Sequence, residues 1–183
     1  MKKIAGSIVV ASAALQVACA NLTFEQMPIR TPRDFLLDIK AVVDSEGLTD
    51  VNAVGRRLRI EFIAEPENAV FGNDAKTVIG HGIQIRQGRV GHEYLSENFW
   101  YRIFTLIHGK ASKVLISVSV RKNAICVTKS ELVATFGEGK QYVSPHAWSQ
   151  DYLYERRGGA REVDFRFEPG GCLFGFAISD NGK

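Results

Sequence analysis

Glu162-Val163-Asp164-Phe165-Arg166-Phe167, followed by Glu168-Pro169-Gly170-Gly171 and then Cys172-Leu173-Phe174-Gly175-Phe176-Ala177-Ile178, is the stretch that decides the fold. Val163, Phe165 and Phe167 alternate with Glu162, Asp164 and Arg166, and successive side chains of an extended strand point to opposite faces. The alternation predicts a strand with three residues on a core and three charged ones facing water. Pro169-Gly170-Gly171 supplies turn residues, so Cys172–Ile178 returns antiparallel to it. On the other side Gly158-Gly159 turns the chain back to a third strand, Tyr152–Arg156. An antiparallel meander results.

A helix precedes the meander. Thr128 is placed to cap it, Glu131 sits at the capping-box position, and Leu132, Val133 and Phe136 supply an apolar side before the stop at Gly137. A polar loop containing Pro145 leads to the strands. The earlier chain follows the same order. Thr31-Pro32-Arg33-Asp34 starts a helix, with Thr as the cap and Pro at the first helical position, and Phe35, Leu36, Ile39, Val42 and Val43 share one face up to Gly47. A shorter helix is predicted from a Thr49 cap to about Arg57, with Val51, Val54 and Leu58 inward. From Leu58 the period becomes two, with Leu58, Ile60 and Phe62 alternating with Arg59, Glu61 and Ile63 up to Pro66. Residues 64–76 read as loop. Thr77 to Arg86 makes a strand with Ile83 and Ile85 on one side, interrupted by Gly80 and Gly82. Phe99 to Ile107 is apolar on both faces, the pattern of a central, covered strand. Gly109 and Lys110 turn into a strand with Val114, Ile116, Val118 and Val120 on one face. The fold class is α+β, with short helices packed on an antiparallel β-sheet.

Thr128-x-x-Glu131-Leu132, Phe136-Gly137, Tyr152-x-Tyr154, the strand Val163 to Phe167 and the glycine-turned Cys172-Leu173 together carry a likeness. Residues 126–179 resemble the helix-then-meander unit shared by the β-lactamase-inhibitor-protein family and the small outer-membrane assembly lipoproteins of the SmpA/OmlA type. The inhibitor family repeats this unit in tandem. Leu48-Thr49-x-x-Asn52 and the strands from Leu58 resemble a degenerate first copy. The resemblance implies two related units, residues 31–122 and 123–183, within one domain. It also implies a role in protein binding or in envelope assembly. It departs from those families in lacking a Trp-Tyr pair on the first strand.

The amino terminus carries the second message. Lys2 and Lys3, the apolar run Ile4 to Leu15 and the small residues Ala18-Cys19-Ala20 have the form of a signal peptide over residues 1–20. The run is too short to span a bilayer of ~30 Å. Cleavage after Ala20 leaves residues 21–183 as a single exported domain, periplasmic or secreted. Cleavage before Cys19 would instead lipidate that cysteine and tether the protein to a membrane. Gln16, where a lipoprotein signal carries a Leu-type residue, fits that pattern poorly. Removing Lys2 and Lys3 lowers the formal charge from +3 to +1, which argues against a nucleic-acid binder with its dense basic face. The run Arg56, Arg57 and Arg59 reads as a solvated helix end. Of three cysteines, Cys126 and Cys172 remain. An even number in an oxidising compartment suggests one disulfide. Its loop of about 47 residues is worth roughly 4 kcal/mol in the chain-entropy treatment.

No reaction chemistry is written in the chain. His81, His92, His108 and His146 form no HxxxH or HxH pair, and Gly80-His81-Gly82 is too slight for a phosphate loop. No cofactor or metal ligand set is expected. What remains is a contact surface. Between Gln141 and Tyr154 the chain places Tyr142, His146, Trp148, Tyr152 and Tyr154, aromatic side chains with polar tips of the kind that anchor interfaces. Trp100 adds a second candidate. Trp100 and Tyr152 also fit as core residues of their strands, whereas Trp148 sits among polar loop residues. The function expected is a protein-binding module that neutralises or regulates another protein, a toxin or an enzyme, as an immunity protein or inhibitor does. An envelope-assembly accessory factor is the alternative, and a small hydrolase with a site formed only in three dimensions the second alternative.

Overall fold

The computed structural model describes residues 22–107, 112–143, 149–156 and 159–182. The segment 1–20 with Cys19, the turn at Gly109-Lys110, Pro145, His146, Trp148 and Gly158 lie outside the described residues.

Among the described residues three α-helices and nine strands make an α+β fold. Helix α1, Pro32–Asp44, begins as its sequence requires. The Thr31 hydroxyl accepts from the Asp34 amide at 3.2 Å, and Phe35, Leu36, Ile39, Val42 and Val43 are all buried. It stops at Ser45, before Gly47. Helix α2, Val51–Leu58, is capped by Asp50 rather than Thr49, because the Asp50 carboxylate accepts the Ala53 amide at 2.9 Å. Its last turn includes Leu58, and Arg59 reverses the chain in the left-handed region at φ 59°. The first strand therefore begins at Ile60. Helix α3, Lys129–Phe136, carries the reciprocal capping box of Thr128 and Glu131 and ends at Gly137.

The strands are β1, Ile60–Ala64; β2, Asn68–Phe71; β3, Val78–Val90; β4, Trp100–Leu106; β5, Ser112–Ser119; β6, Lys140–Val143; β7, Gln150–Glu155; β8, Arg161–Phe167; and β9, Leu173–Asp180. All pair antiparallel in one sheet of order β1-β3-β4-β5-β9-β8-β7-β6, with β2 beside the first half of β3. Strands from residues 31–122 lie on one side and strands from 123–183 on the other. They meet along β5 and β9, in register from Val114 with Asp180 to Ser119 with Gly175. Strands β2 and β6 fall where loop was expected, and β3 runs four residues beyond Arg86.

The core lies between the three helices and one face of the sheet. Phe35 of α1 meets Phe176 of β9 edge-on at 6.3 Å, and Phe136 of α3 meets Phe165 of β8 at 4.9 Å. Val114, Ile116, Val118, Val163, Phe165 and Phe167 are buried on this face, as their alternation predicts. The disulfide Cys126–Cys172 is formed, with Cα atoms 5.1 Å apart, and ties the approach to α3 to the start of β9. Among the described residues no helix is long and apolar enough to cross a membrane.

One buried charge cluster locks the amino-terminal side. Arg30 donates from Nε to Glu93 at 2.9 Å, to Asp38 at 3.0 Å, to the Arg57 and Leu58 carbonyls and to the Tyr94 hydroxyl at 2.9 Å. Every guanidinium donor is used. The Arg30 backbone amide also donates to Glu93, at 3.0 Å. Burial alone would raise the Glu93 carboxyl, but Arg30 holds it below the usual range.

Candidate functional site

Among the described residues all three α-helices lie on the same face of the sheet, so side chains of opposite parity stand on a face that no α-helix covers. On β4 these are Trp100, Arg102, Phe104 and Leu106, and on β5 Leu115 and Ser117. Trp100 is 54% exposed, Leu115 46%, Ile63 of β1 44% and Leu106 44%. Trp100 pairs with Ser117 and Arg102 with Leu115, so Leu115 is a diagonal neighbour of Trp100. Strand β4 is central in the sheet yet covered on one side only, which corrects the expectation of a strand covered on both. Beside this patch a cleft of about 590 Å³ runs between β2 and β4, bordered by Val70, Phe71, Arg102 and Phe104 with Gly82 among its lining residues. A methyl on Gly82 would come within 3.2 Å of Val70, so the glycine keeps the strands close there.

The other half of the face is polar. Asp151 stands opposite Arg166, and Tyr142 opposite Asp151. Arg166 reaches across β9 instead. Its guanidinium lies along Gly175 and donates to the Ser117 hydroxyl at 2.9 Å and to the Phe176 carbonyl at 3.4 Å. Asp151 is 4% exposed, its Oδ1 has no hydrogen-bond partner, and neither Asp151 nor Asp164 is in an ion pair among the described residues. Burial pushes the Asp164 carboxyl up and Asp151 adds to it, while the nearby Tyr142 hydroxyl and Arg166 oppose the shift. The Tyr142 phenol is raised, first by burial and then by Asp164. Glu162, Asp164 and Arg166, expected to face water, are thus half-buried on a face that no α-helix covers among the described residues. Small residues, Ser117, Gly175, Ala177 and Ser179, separate the two halves.

The residues picked out in the sequence divide. Trp100 and Tyr142 both stand on the open face, Trp100 in the apolar half and Tyr142 on the edge strand of the polar half. Tyr152 does not. Its parity puts it on the helix side, 3% exposed, with its ring edge-on to Phe167 at 5.4 Å and the Lys129 ammonium 4.9 Å above it. It packs in the core and is removed from the contact surface. His146 and Trp148 lie outside the described residues. Leu115, Ile63 and Leu106 were missed. Among the described residues no group of three or more His, Cys, Asp and Glu side chains could hold a metal ion.

The class defined here is an α+β domain with its helices on one face of a single antiparallel sheet and an apolar patch on the other. No protein-family model matches the chain, and no curated protein matches it. Among solved structures, that of the DUF4309 family protein YjgB from Bacillus subtilis is similar, at 14% identity and a TM-score of 0.40, covering 81% of this chain and 97% of that one. At that distance neither fold nor role is carried from one to the other.

Proposed function

We propose that this chain is an exported protein-binding module that neutralises or regulates another protein, in the manner of an immunity protein or an enzyme inhibitor, and that the open face of the sheet is its contact surface. The observation that carries the reading is the uncovered patch of Trp100, Leu115, Ile63 and Leu106. Exposed apolar side chains gathered on one face mark interaction sites, and Trp is among the residue types enriched in binding hot spots. The disulfide and the form of residues 1–20 support an oxidising compartment outside the cytoplasm.

Capture from envelope and secreted fractions on the immobilised protein tests this. The protein should retain one dominant partner, and Trp100→Ala should weaken that complex by at least ~2 kcal/mol. Leu37→Asp, on the exposed flank of α1, should leave it unchanged. A partner held equally well by the Trp100 variant would refute the assignment of the face.

A further inference from the structure

The open face is bipolar. Around the apolar half stand three exposed cations, Arg86, Arg102 and Lys113, of which Arg102 and Lys113 form no ion pair among the described residues. The other half carries Glu155, Glu162 and Asp164 on β7 and β8, likewise in no ion pair among the described residues. One cross-strand row sets the two signs in register, running Gln84, Arg102, Leu115, Ser179, Glu162, Glu155. Arg102 and Glu162 stand three strands apart in that row, about 14 Å at a spacing of about 4.8 Å, too far to pair within one chain.

A two-fold axis parallel to the strands, passing between β5 and β9, changes this. It lays β4 of one copy over β8 of a second, so that Arg102 faces Glu162 twice. Leu115 then lies on Ser179 of the second copy, and Trp100 comes down on Asp164, with the short side chain of Ala177 beside it leaving room for the indole. Eight strands of the main path give a face of about 35 by 20 Å, or about 700 Å². Specific interfaces bury about 600–1,000 Å² per partner, and a face of this size falls within that range. We propose that a second copy of this chain covers the open face in an isologous contact that pairs Arg102 with Glu162. This rests on reading the face as an interface, and the second copy would compete there with any other partner.

Sedimentation equilibrium on the purified chain, from low micromolar to roughly 500 µM, is the test. A monomer–dimer equilibrium that weakens with salt is expected. Arg102→Glu and Glu162→Arg should each raise the Kd by about tenfold or more, and the two together should restore it to within about threefold. Leu37→Asp should leave it unchanged. A monomer throughout the range, a dimer indifferent to both charge reversals, or a double variant that stays weak overturns the pairing. A monomeric chain that still captures a partner through Trp100 would leave the binding function standing. A dimer that captures nothing would remove that function and keep this contact.

Discussion

Replacing Arg30 by Met should cost more stability than any exposed substitution in this protein, and the size follows from what is left behind. The arginine and glutamate side chains are 2% and 1% exposed, and methionine keeps the stem while deleting five donors. Removing one member of a buried pair typically costs ~3–5 kcal/mol, because the other charge stays buried without compensation. Two groups soften the loss here. The amide of residue 30 still reaches Glu93 at 3.0 Å, and the Arg59 guanidinium stands 3.9 Å away. The expected cost is therefore about 3 kcal/mol, the low end, which is about 6–12 °C in Tm for a domain of this size. Urea unfolding followed by tryptophan fluorescence at pH 7 measures it. The pH dependence gives the sign of the cause. In the native protein Glu93 is depressed, so its contribution is present above the ordinary glutamate pKa and lost as pH falls through the folded value. In the variant the buried carboxylate is unfavourable, and taking up a proton relieves it. The gap between the two proteins should narrow as pH falls, beginning above the ordinary glutamate pKa, where the variant takes up its proton, and ending below it, where the native Glu93 does. Glu93→Gln added to Arg30→Met should recover part of the loss at pH 7. A cost under about 1 kcal/mol, or a gap that does not respond to pH, would refute the account of Arg30 as the counter-charge of Glu93.

Two further outcomes concern the fold. Changing both Cys126 and Cys172 to Ser should lower stability by about 4 kcal/mol, since the bridge closes a separation of 46 residues; equal urea midpoints for variant and oxidised protein would contradict it. Gly80→Ala should cost ~1–3 kcal/mol, because its methyl would lie 2.6 Å from the Phe104 ring and closer still to the Thr105 carbonyl, which the sheet holds fixed; Gly170→Ala, in a turn with nothing within 4 Å, should change stability by less than about 0.5 kcal/mol, and similar losses at both sites would show that the close approach of β3 and β4 is not what matters.

How much the sequence disclosed depends on whether a signal is local. Helix α1 could be read because Thr31, Pro32 and Asp34 fix its start within four residues and the apolar side chains then recur at helical spacing. The β8 strand could be read because its two faces differ in polarity. Strand β4 hid its exposure for the opposite reason. Tyr101 and Ile103 face the core, but Trp100, Phe104 and Leu106 on the other side are just as apolar, so a period of two carries no information about which side is covered. Strands β2 and β6 are four residues long, with Pro66 before one and Gly139 before the other. Pairing with β3 and β7 makes them strands, and pairing partners are not written in a window of that length. The Arg30–Glu93 contact joins residues 63 positions apart. The open face is a property of helix placement, and no single segment records it.

The junction of β5 with β9 has a kinetic consequence. Strand β9 follows every other strand in sequence, yet it occupies the middle of the sheet, bonded to β5 on one side and β8 on the other. The early strands β1 to β5 can form only half a sheet with a raw inner edge until the far end of the chain arrives. Contacts of such long sequence separation make folding slow, because loop closure precedes any gain from pairing. For a chain exported in the way proposed above, this order of assembly would be useful. The sheet cannot close around its own core while the carboxy-terminal strand is still being made, and a translocation machinery would meet a polypeptide that has not yet committed to its shape.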